Sequence, residues 1–318
     1  MKKFLSIILA VALLLTMAAC GSGASKMTMG TGGTTGTYYG YGGILGQYIK
    51  NNAGIDVTVV STDGSKANIQ SIDAGDYQLA LVQSDVMAYA WAGTQSFAGD
   101  GAVNSFRVVA GLYAEAVQLI TMDPEIKSVK DLAGKNVSIG APGSGVYFNA
   151  IDVLAAAGLT ENDIQAQYQS FADSTDALKD GKIDAAFIVA GAPTAAITEL
   201  CTTNNAYLVP IDGEIADKLI AASPYYTAYT IPAGTYAGQD ADVVTATVKA
   251  TLIVSASAAE DDVYNLTKAI FENTEAIAAE NGKGAELSIE NATSGMTAPF
   301  HAGAAKYFAE KGVTVETK

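Results

Sequence analysis

Short strand-like segments alternate with helix-like segments along most of this chain, and this alternation constrains the fold more than any other feature. One series of strand and helix pairs extends over residues 27–122, and a second series extends over residues 136–210. Strands that are separated by helices form parallel βαβ units. The sequence therefore predicts an α/β protein with two groups of such units.

The last third of the chain carries no series of its own, although Val243–Ser255 is strand-like. The simplest closure returns this segment to the first group. It predicts lobe I from residues 27–111 plus 232–318 and lobe II from residues 112–231, with crossings near Ala110–Tyr113 and Thr230–Gly234. Two lobes joined by two crossings form a hinge, and the cleft between such lobes is a usual place for a small ligand.

The N-terminus has the layout of a secretory signal. Lys2 and Lys3 precede the apolar run Phe4–Leu15, which is short for a membrane span. Met17–Cys20 then resembles the lipobox of bacterial lipoproteins, in which cleavage before the cysteine accompanies its acylation. We therefore predict a signal peptide of residues 1–19, a lipidated Cys20, a tether of residues 20–26 and an extracytoplasmic, membrane-anchored protein. A plain signal peptide cut elsewhere is the alternative.

Arginine, histidine and cysteine are scarce, and this scarcity argues against several kinds of chemistry. The chain has one arginine, Arg107, one histidine, His301, and two cysteines. A zinc site needs several His or Cys ligands, and a Ser-His-Asp triad could use only His301. If Cys20 is acylated, Cys201 has no disulfide partner, and we interpret it as a buried apolar residue. We expect no metal, no cofactor and no enzyme activity; a secreted enzyme remains a lesser hypothesis.

The charge of the chain argues against a nucleic-acid partner. Its net charge is −15, and it becomes −17 if the two lysines leave with the signal. A protein that binds a phosphate backbone needs lysines and arginines to neutralise it. The 49% hydrophobic content is enough for one large core or two smaller ones, and we expect a monomer.

Two glycine-rich loops each follow a predicted strand and open a predicted helix. They are Gly30–Tyr39 and Gly140–Tyr147. Free backbone N–H groups and the helix dipole make such helix ends suited to anions, and hydroxyls come from Thr31, Thr34 and Ser144. Neither loop has the glycine spacing of a dinucleotide fingerprint or the Gly-Lys-Ser/Thr of a phosphate-binding loop. Ordinary tight turns are the alternative interpretation.

Further candidate residues occupy equivalent positions, where strands end and helices begin. Gln83, Ser84 and Asp85 end one strand, and Ser84 is predicted as the N-cap of the next helix. Asn68, Asn149 and Pro193 lie near the starts of other helices. We predict a ligand site that contains Thr31, Gly33, Thr34, Tyr38, Asn68, Gln83, Ser144, Gly145, Asn149 and Pro193.

Four segments together carry a family resemblance. Gly30–Tyr39, Ile69–Asp85, Gly140–Asn149 and Phe300–Ala304 resemble the TAXI class of extracytoplasmic solute receptors, which serve tripartite ATP-independent periplasmic (TRAP) transporters. The resemblance implies a two-lobed type II periplasmic-binding-protein fold with a hinge and an interlobe cleft. It also implies TRAP membrane permease subunits as partners and a small carboxylate ligand such as glutamate, glutamine or 2-oxoglutarate.

A second hypothesis keeps this fold but changes the importer. In it the chain is the substrate-binding lipoprotein of an ABC importer for an aromatic or sulfonated compound, with a flat ligand stacked on Tyr38, Tyr39, Tyr41 and Tyr147. Another class of TRAP receptor holds its carboxylate with an arginine. Because Arg107 lies on a predicted strand near a crossing, we do not expect that mode here, and we interpret His301 as structural or lobe-facing.

Overall fold

The computed structural model describes residues 25–318, which form one ten-stranded sheet covered by helices. The strands are β1 (Lys26–Gly30), β2 (Asp56–Val60), β3 (Leu79–Gln83), β4 (Phe106–Thr121), β5 (Asn136–Ser138), β6 (Gln165–Gln167), β7 (Ala185–Ala190), β8 (Tyr207–Val209), β9 (Thr227–Ile231) and β10 (Val243–Ser255). Their order in the sheet is β2-β1-β3-β10-β4-β7-β5-β6, with β8 paired to β4 and β9 paired to β10.

Helices follow most of the strands, as the alternation predicted. They are α1 (Thr37–Ala53), α2 (Ser65–Asp73), α3 (Ser84–Ala92), α4 (Val146–Ala156), α5 (Phe171–Lys179), α6 (Ala195–Thr203), α7 (Gly213–Ala222), α8 (Glu260–Phe271), α9 (Thr274–Glu280), α10 (Ile289–Thr293) and α11 (Ala302–Glu310). The strands β1, β2 and β3 are parallel, and so are β5, β6 and β7. Each parallel group forms one lobe.

The two long strands β4 and β10 lie antiparallel to each other and join the lobes. In lobe I, the end of β10 pairs with β3. In lobe II, Ala116–Thr121 of β4 pairs with β7, and Val243–Thr247 of β10 pairs with β9. Both strands therefore pass through the sheet of each lobe, and both segments that cross between the lobes are extended backbone.

The second crossing lies elsewhere than the predicted Thr230–Gly234. It lies within β10, close to Lys249, where a register shift interrupts its pairing with β4. Ala246 and Val248 pack into the core of lobe II, so the boundary at residue 232 needs correction. The sequence does not reveal where the chain crosses between the lobes, because β10 is one unbroken strand-like run. The first crossing lies within β4, which runs without a break from Phe106 to Thr121.

Each lobe has its own apolar core. Lobe I is built around residues such as Leu45, Leu81 and Phe308, which are fully buried. In lobe II the alternate residues of β7 face opposite sides of the sheet: Phe187 packs into one cluster and Ile188 into another. Every residue of β7 is buried, as expected for a parallel strand that helices cover on both faces.

Some predicted elements differ in detail. The last third of the chain, which showed no series of its own, adds the helices α8, α9, α10 and α11 after β10. Ser84 is the first helical residue of α3 rather than its cap, because its hydroxyl accepts from the backbone N–H of Lys249. The signal peptide and Cys20 lie outside the described residues. Within residues 25–318, no helix is both long and apolar enough to cross a bilayer.

Candidate functional site

A small cavity of about 80 Å³ lies between the lobes, at the edge of the sheet where the parallel strands end. Lobe I and lobe II both contribute to its wall. The lining residues include Gly33, Thr37, Tyr38, Asp63, Ser65, Gln83 and Glu115 from lobe I and the crossing strand, and Ser144, Gly145, Gln169, Ser170, Phe171 and Ala190 from lobe II. Both glycine-rich loops therefore contribute to the same cavity.

Five helices begin at this cavity. Their N-cap residues, Gly36, Gly64, Gln83, Gly145 and Ser170, all line it. Only Ser170 caps its helix with a side chain, by accepting from the N–H of Asp173, as far as the described chain shows. The other four helices present their first turns without a side-chain cap. Helix N-termini carry partial positive charge, so this arrangement favours an anionic group in the cavity.

Three buried polar atoms in the cavity wall have no hydrogen-bond partner among residues 25–318. They are Gln83 Oε1, Ser144 Oγ and Gln169 Oε1. The side chains of Gln83 and Ser144 are 3% and 5% exposed. A buried polar atom without a partner is costly, and native proteins usually satisfy such atoms with protein, water or a ligand. The three atoms therefore indicate where a polar ligand would make its contacts.

Glu115 is the lining residue that the sequence analysis missed. It lies in the middle of β4, is 2% exposed, and its Oε2 accepts from the hydroxyl of Tyr38 at 2.8 Å. Burial, followed by the negative charge of Asp85, raises the pKa of Glu115 well above its usual value, although the Tyr38 bond and Lys283 oppose this shift. In the sequence, Glu115 stands out only as a lone acidic residue in an otherwise apolar run.

Half of the predicted site residues line the cavity: Gly33, Tyr38, Gln83, Ser144 and Gly145. The others lie elsewhere. Thr31 is buried, and its hydroxyl donates to the carbonyl of Val60; Thr34 and Pro193 are exposed. Asn68 Nδ2 donates to the carbonyls of Thr31 and Leu81, so Asn68 supports the first glycine-rich loop from behind.

Asn149 lies behind the cavity and connects the lobes. Its Oδ1 accepts from Gln83 Nε2 at 2.9 Å, and its Nδ2 donates to Asp85 Oδ2 at 2.9 Å and to the hydroxyl of Tyr226 at 2.7 Å. The Tyr226 hydroxyl donates in turn to Asp152. Asp85 is fully buried, and this burial raises its pKa to about 6.

Several contacts close the cleft around the cavity. The backbone N–H groups of Lys66 and Ala67 in lobe I donate to the carbonyl of Gly143 in lobe II, at 3.1 and 3.2 Å. The Thr37 hydroxyl donates to the carbonyl of Gly191 at 2.9 Å. A Cβ atom at Gly145 would overlap the side-chain amide of Gln83. The structure is therefore that of the closed lobes.

The predicted aromatic platform is not assembled. Of its four tyrosines, only Tyr38 lines the cavity, together with the ring of Phe171. Tyr39 is exposed, and the buried Tyr41 packs edge-on against Tyr113 in lobe I. Tyr147 donates to Glu161 and stacks near Tyr168, away from the cavity.

The rare residues lie outside the cavity wall. His301 caps α11: its Nδ1 accepts from the N–H of Gly303, which leaves Nε2 to donate to the carbonyl of Ala258. Arg107 lies over the ring of Trp91 and donates to backbone carbonyls. Cys201 is buried, and burial raises the pKa of its thiol. No cluster of three metal-ligating side chains occurs in the described part of the chain.

Comparison with known proteins identifies the family. The NMT1-like family matches residues 29–312, which is nearly all of the described chain. The chain belongs to the NMT1-like family. This match does not distinguish the TAXI class that the sequence motifs resemble.

Solved structures agree on the fold of this NMT1-like chain. It is similar to the alkanesulfonate-binding protein SsuA of Xanthomonas axonopodis bound to MOPS, with 17% identity, 91% and 85% of the two chains covered, and a TM-score of 0.53. A second similar structure is PhnD1 of Prochlorococcus marinus with methylphosphonate, with 12% identity, coverage of 78% and 84%, and a TM-score of 0.52.

A third similar structure is the ligand-binding component of an ABC-type import system of Staphylococcus aureus with zinc bound. It has 10% identity, coverage of 80% and 78%, and a TM-score of 0.50. At such low identities the likeness concerns the fold. The two-lobed α/β fold of a type II periplasmic binding protein, which the sequence predicted, is confirmed.

Proposed function

We propose that this protein is an extracytoplasmic solute-binding protein that closes its two lobes on a small ligand and delivers it to a membrane importer. The observation that carries the proposal is the interlobe cavity, where helix N-termini from both lobes meet buried polar atoms that have no partner among residues 25–318. A cavity that forms only when two lobes close suits capture and release of a solute.

The ligand that this cavity supports best is small and carries an anionic group. Helix N-termini, the Ser144 hydroxyl and backbone N–H groups can hold a carboxylate or a sulfonate without arginine. The small volume favours a compact ligand such as glutamate, glutamine or 2-oxoglutarate over a large aromatic compound.

Two importer classes are supported by different observations. The likeness to a component of an ABC-type import system and to SsuA supports an ABC importer, which was the second hypothesis from the sequence. The resemblance of the glycine-rich loops to the TAXI class supports a TRAP permease. Uptake of radiolabelled ligand into vesicles that contain the permease separates the two, because an ABC importer needs ATP and a TRAP permease needs an ion gradient.

A binding screen tests the proposal. The purified protein is screened by thermal shift and calorimetry against amino acids, dicarboxylates and alkanesulfonates, and mass spectrometry identifies co-purified ligand. A ligand at a hundred times its Kd adds about 2.7 kcal/mol to the free energy of unfolding. We expect Ser144→Ala to weaken binding by about tenfold, since one ligand hydrogen bond is lost. If no compound binds, or if Ser144→Ala changes affinity less than about twofold, the proposal fails.

Membrane attachment through Cys20 is a part of the proposal that rests on the sequence alone. Cys20→Ala should release the protein from the membrane fraction of cells. Retention of this variant in that fraction would contradict lipid anchoring.

A further inference from the structure

The cavity has a side that accepts hydrogen bonds, opposite in character to the helix N-termini. Glu115, Gln83 and Gln169 all line it with side-chain oxygens, and the buried Oε1 atoms of the two glutamines have no partner among the described residues. Among residues 25–318, no lysine or arginine lines the cavity. The positive charge of Lys283 acts on Glu115, but the Nζ atom of Lys283 forms a salt bridge with Glu286 Oε1 at 2.8 Å. The accepting side therefore has no cation in the described cavity wall itself.

The orientation of the Gln83 amide is fixed by its neighbours behind the cavity. The Asp85 carboxylate accepts from Asn149 Nδ2, which turns Asn149 Oδ1 towards Gln83. Gln83 Nε2 donates to this oxygen, so Gln83 Oε1 remains as a buried acceptor beside Gly145 in the cavity wall. An ionised carboxylate has no hydrogen to donate, so Asp85 must accept. This fixes the direction of the hydrogen bonds from Asp85 through Asn149 to Gln83. A ligand atom that meets Gln83 Oε1 must therefore be a donor.

An ammonium group matches this side better than any neutral donor. It offers three N–H donors and a positive charge, and this charge favours the ionised carboxylate of Glu115 against the burial that raises its pKa. A 2-oxo acid in the same position would place a carbonyl oxygen, which is an acceptor, against Gln83 Oε1 and Glu115. Gln83 Oε1 and a carbonyl oxygen are both acceptors, so each would leave the other unsatisfied, which is costly in a buried site.

We infer that Glu115 and Gln83 hold a primary ammonium group of the ligand, so that the protein selects a zwitterionic amino acid over the corresponding 2-oxo acid. The inference rests on the proposed function and specifies which ligand class the same cavity takes. In this arrangement the helix N-termini hold the anionic end of the ligand, and Tyr38 positions Glu115 through its hydroxyl. Glu115 then determines specificity, since it is the one buried carboxylate that lines the cavity among the described residues.

The test compares matched ligands on the whole purified protein. Calorimetry measures Kd for amino acids, with L-glutamate and L-glutamine among them, for their 2-oxo acids and for alkanesulfonates. We expect the tightest ligand to carry a primary ammonium group and its 2-oxo acid to bind about a hundredfold more weakly. Glu115→Gln should weaken the amino acid by about thirtyfold while it leaves the 2-oxo acid within about threefold.

Controls keep the outcome specific to Glu115. The exposed Glu125→Gln should leave every Kd unchanged, and Glu115→Gln should retain its thermal unfolding transition, which shows that it folds. Tyr38→Phe, which removes the donor to Glu115, should weaken the amino acid more than the 2-oxo acid. The inference is overturned if the tightest ligand lacks a cationic group, or if Glu115→Gln weakens both members of a pair equally. If no compound binds, the proposed function itself has failed.

Discussion

At the scale of single residues, Gly145 shows how closely the two lobes approach. It lies in lobe II, and a Cβ atom there would overlap Gln83 Oε1 and come within 2.9 Å of Val86, both in lobe I. Gly43 lies on the exposed side of α1, and a Cβ atom there would have no neighbour within 4 Å. The two glycines therefore separate the effect of closure from the general effect of an added methyl group.

We predict that Gly145→Ala weakens ligand binding by more than about tenfold, because the added methyl group holds the lobes apart and overpacking costs about 1–3 kcal/mol. The free energy of unfolding without ligand should change little, since the open lobes avoid the contact. Calorimetry and urea unfolding measure the two effects. Gly43→Ala is the control and should bind normally; equal affinity of both variants would contradict the closed geometry.

Asp85 provides a prediction on pH. Burial raises its pKa from 3.8 to about 6 in the folded protein. Between these values the folded state keeps a proton that the unfolded chain has lost, so this residue makes the free energy of unfolding fall as pH rises through that window. Above pH 6 the effect reaches about 3 kcal/mol, at 1.36 kcal/mol per pKa unit.

Asp85→Asn should therefore be more stable than the natural protein at pH 8, by up to about 3 kcal/mol, and nearly equal to it at pH 4. An amide at this position can still accept from Asn149, so the connection between the lobes persists. Urea unfolding at the two pH values measures the difference. A gain of the same size at pH 4 would show that ionisation of Asp85 is not its cause.

At the scale of elements, helix α4 carries the side chain that joins the lobes. We predict that Asn149→Ala weakens ligand affinity by about tenfold, because Gln83 Nε2 and Asp85 Oδ2 lose their partner in the closed state. Asn52→Ala, at the exposed end of α1, is the matched control and should bind normally. Calorimetry measures Kd for both variants. Unchanged affinity in Asn149→Ala would show that the hydrogen bonds of Asn149 do not stabilise the closed state.

The sequence predicted elements well where periodicity was local. The alternation of β1, α1, β2, α2 and β3 follows from apolar spacing and glycine stops, and both glycine-rich loops lie at the cavity. It predicted side-chain roles less well, because Thr31 and Asn68 have the same residue types as ligand contacts but form bonds within lobe I. Glu115 escaped because its role depends on a hydroxyl 77 positions away in the chain, which local pattern does not reveal.

At the scale of the whole molecule, β4 and β10 connect the lobes as two antiparallel strands, so opening can occur by changes in a few backbone angles near the crossings. Such hinges absorb large motions while each lobe keeps its own core. Residues that touch when the cleft closes lie far along the chain from the hinge. Ala67 and Gly143 are one such pair, since a Cβ atom at Gly143 would lie 3.5 Å from that of Ala67.

We predict that Ala67→Cys with Gly143→Cys forms a disulfide that locks the lobes closed, because this Cβ separation suits a disulfide. The same variant carries Cys20→Ser, so that the buried Cys201 is the one natural thiol left beside the two new cysteines. Gly143 has φ of 82°, so a side chain there lowers the free energy of unfolding by about 1–2 kcal/mol. The single variant Gly143→Cys has the same loss and is therefore the control. Oxidation with ligand present should slow ligand release by more than about tenfold, and dithiothreitol should restore it, as stopped-flow exchange would measure. Release that is equally fast in the oxidised and reduced double variant, with the disulfide verified by mass spectrometry, would mean that the ligand leaves without separation of Ala67 from Gly143.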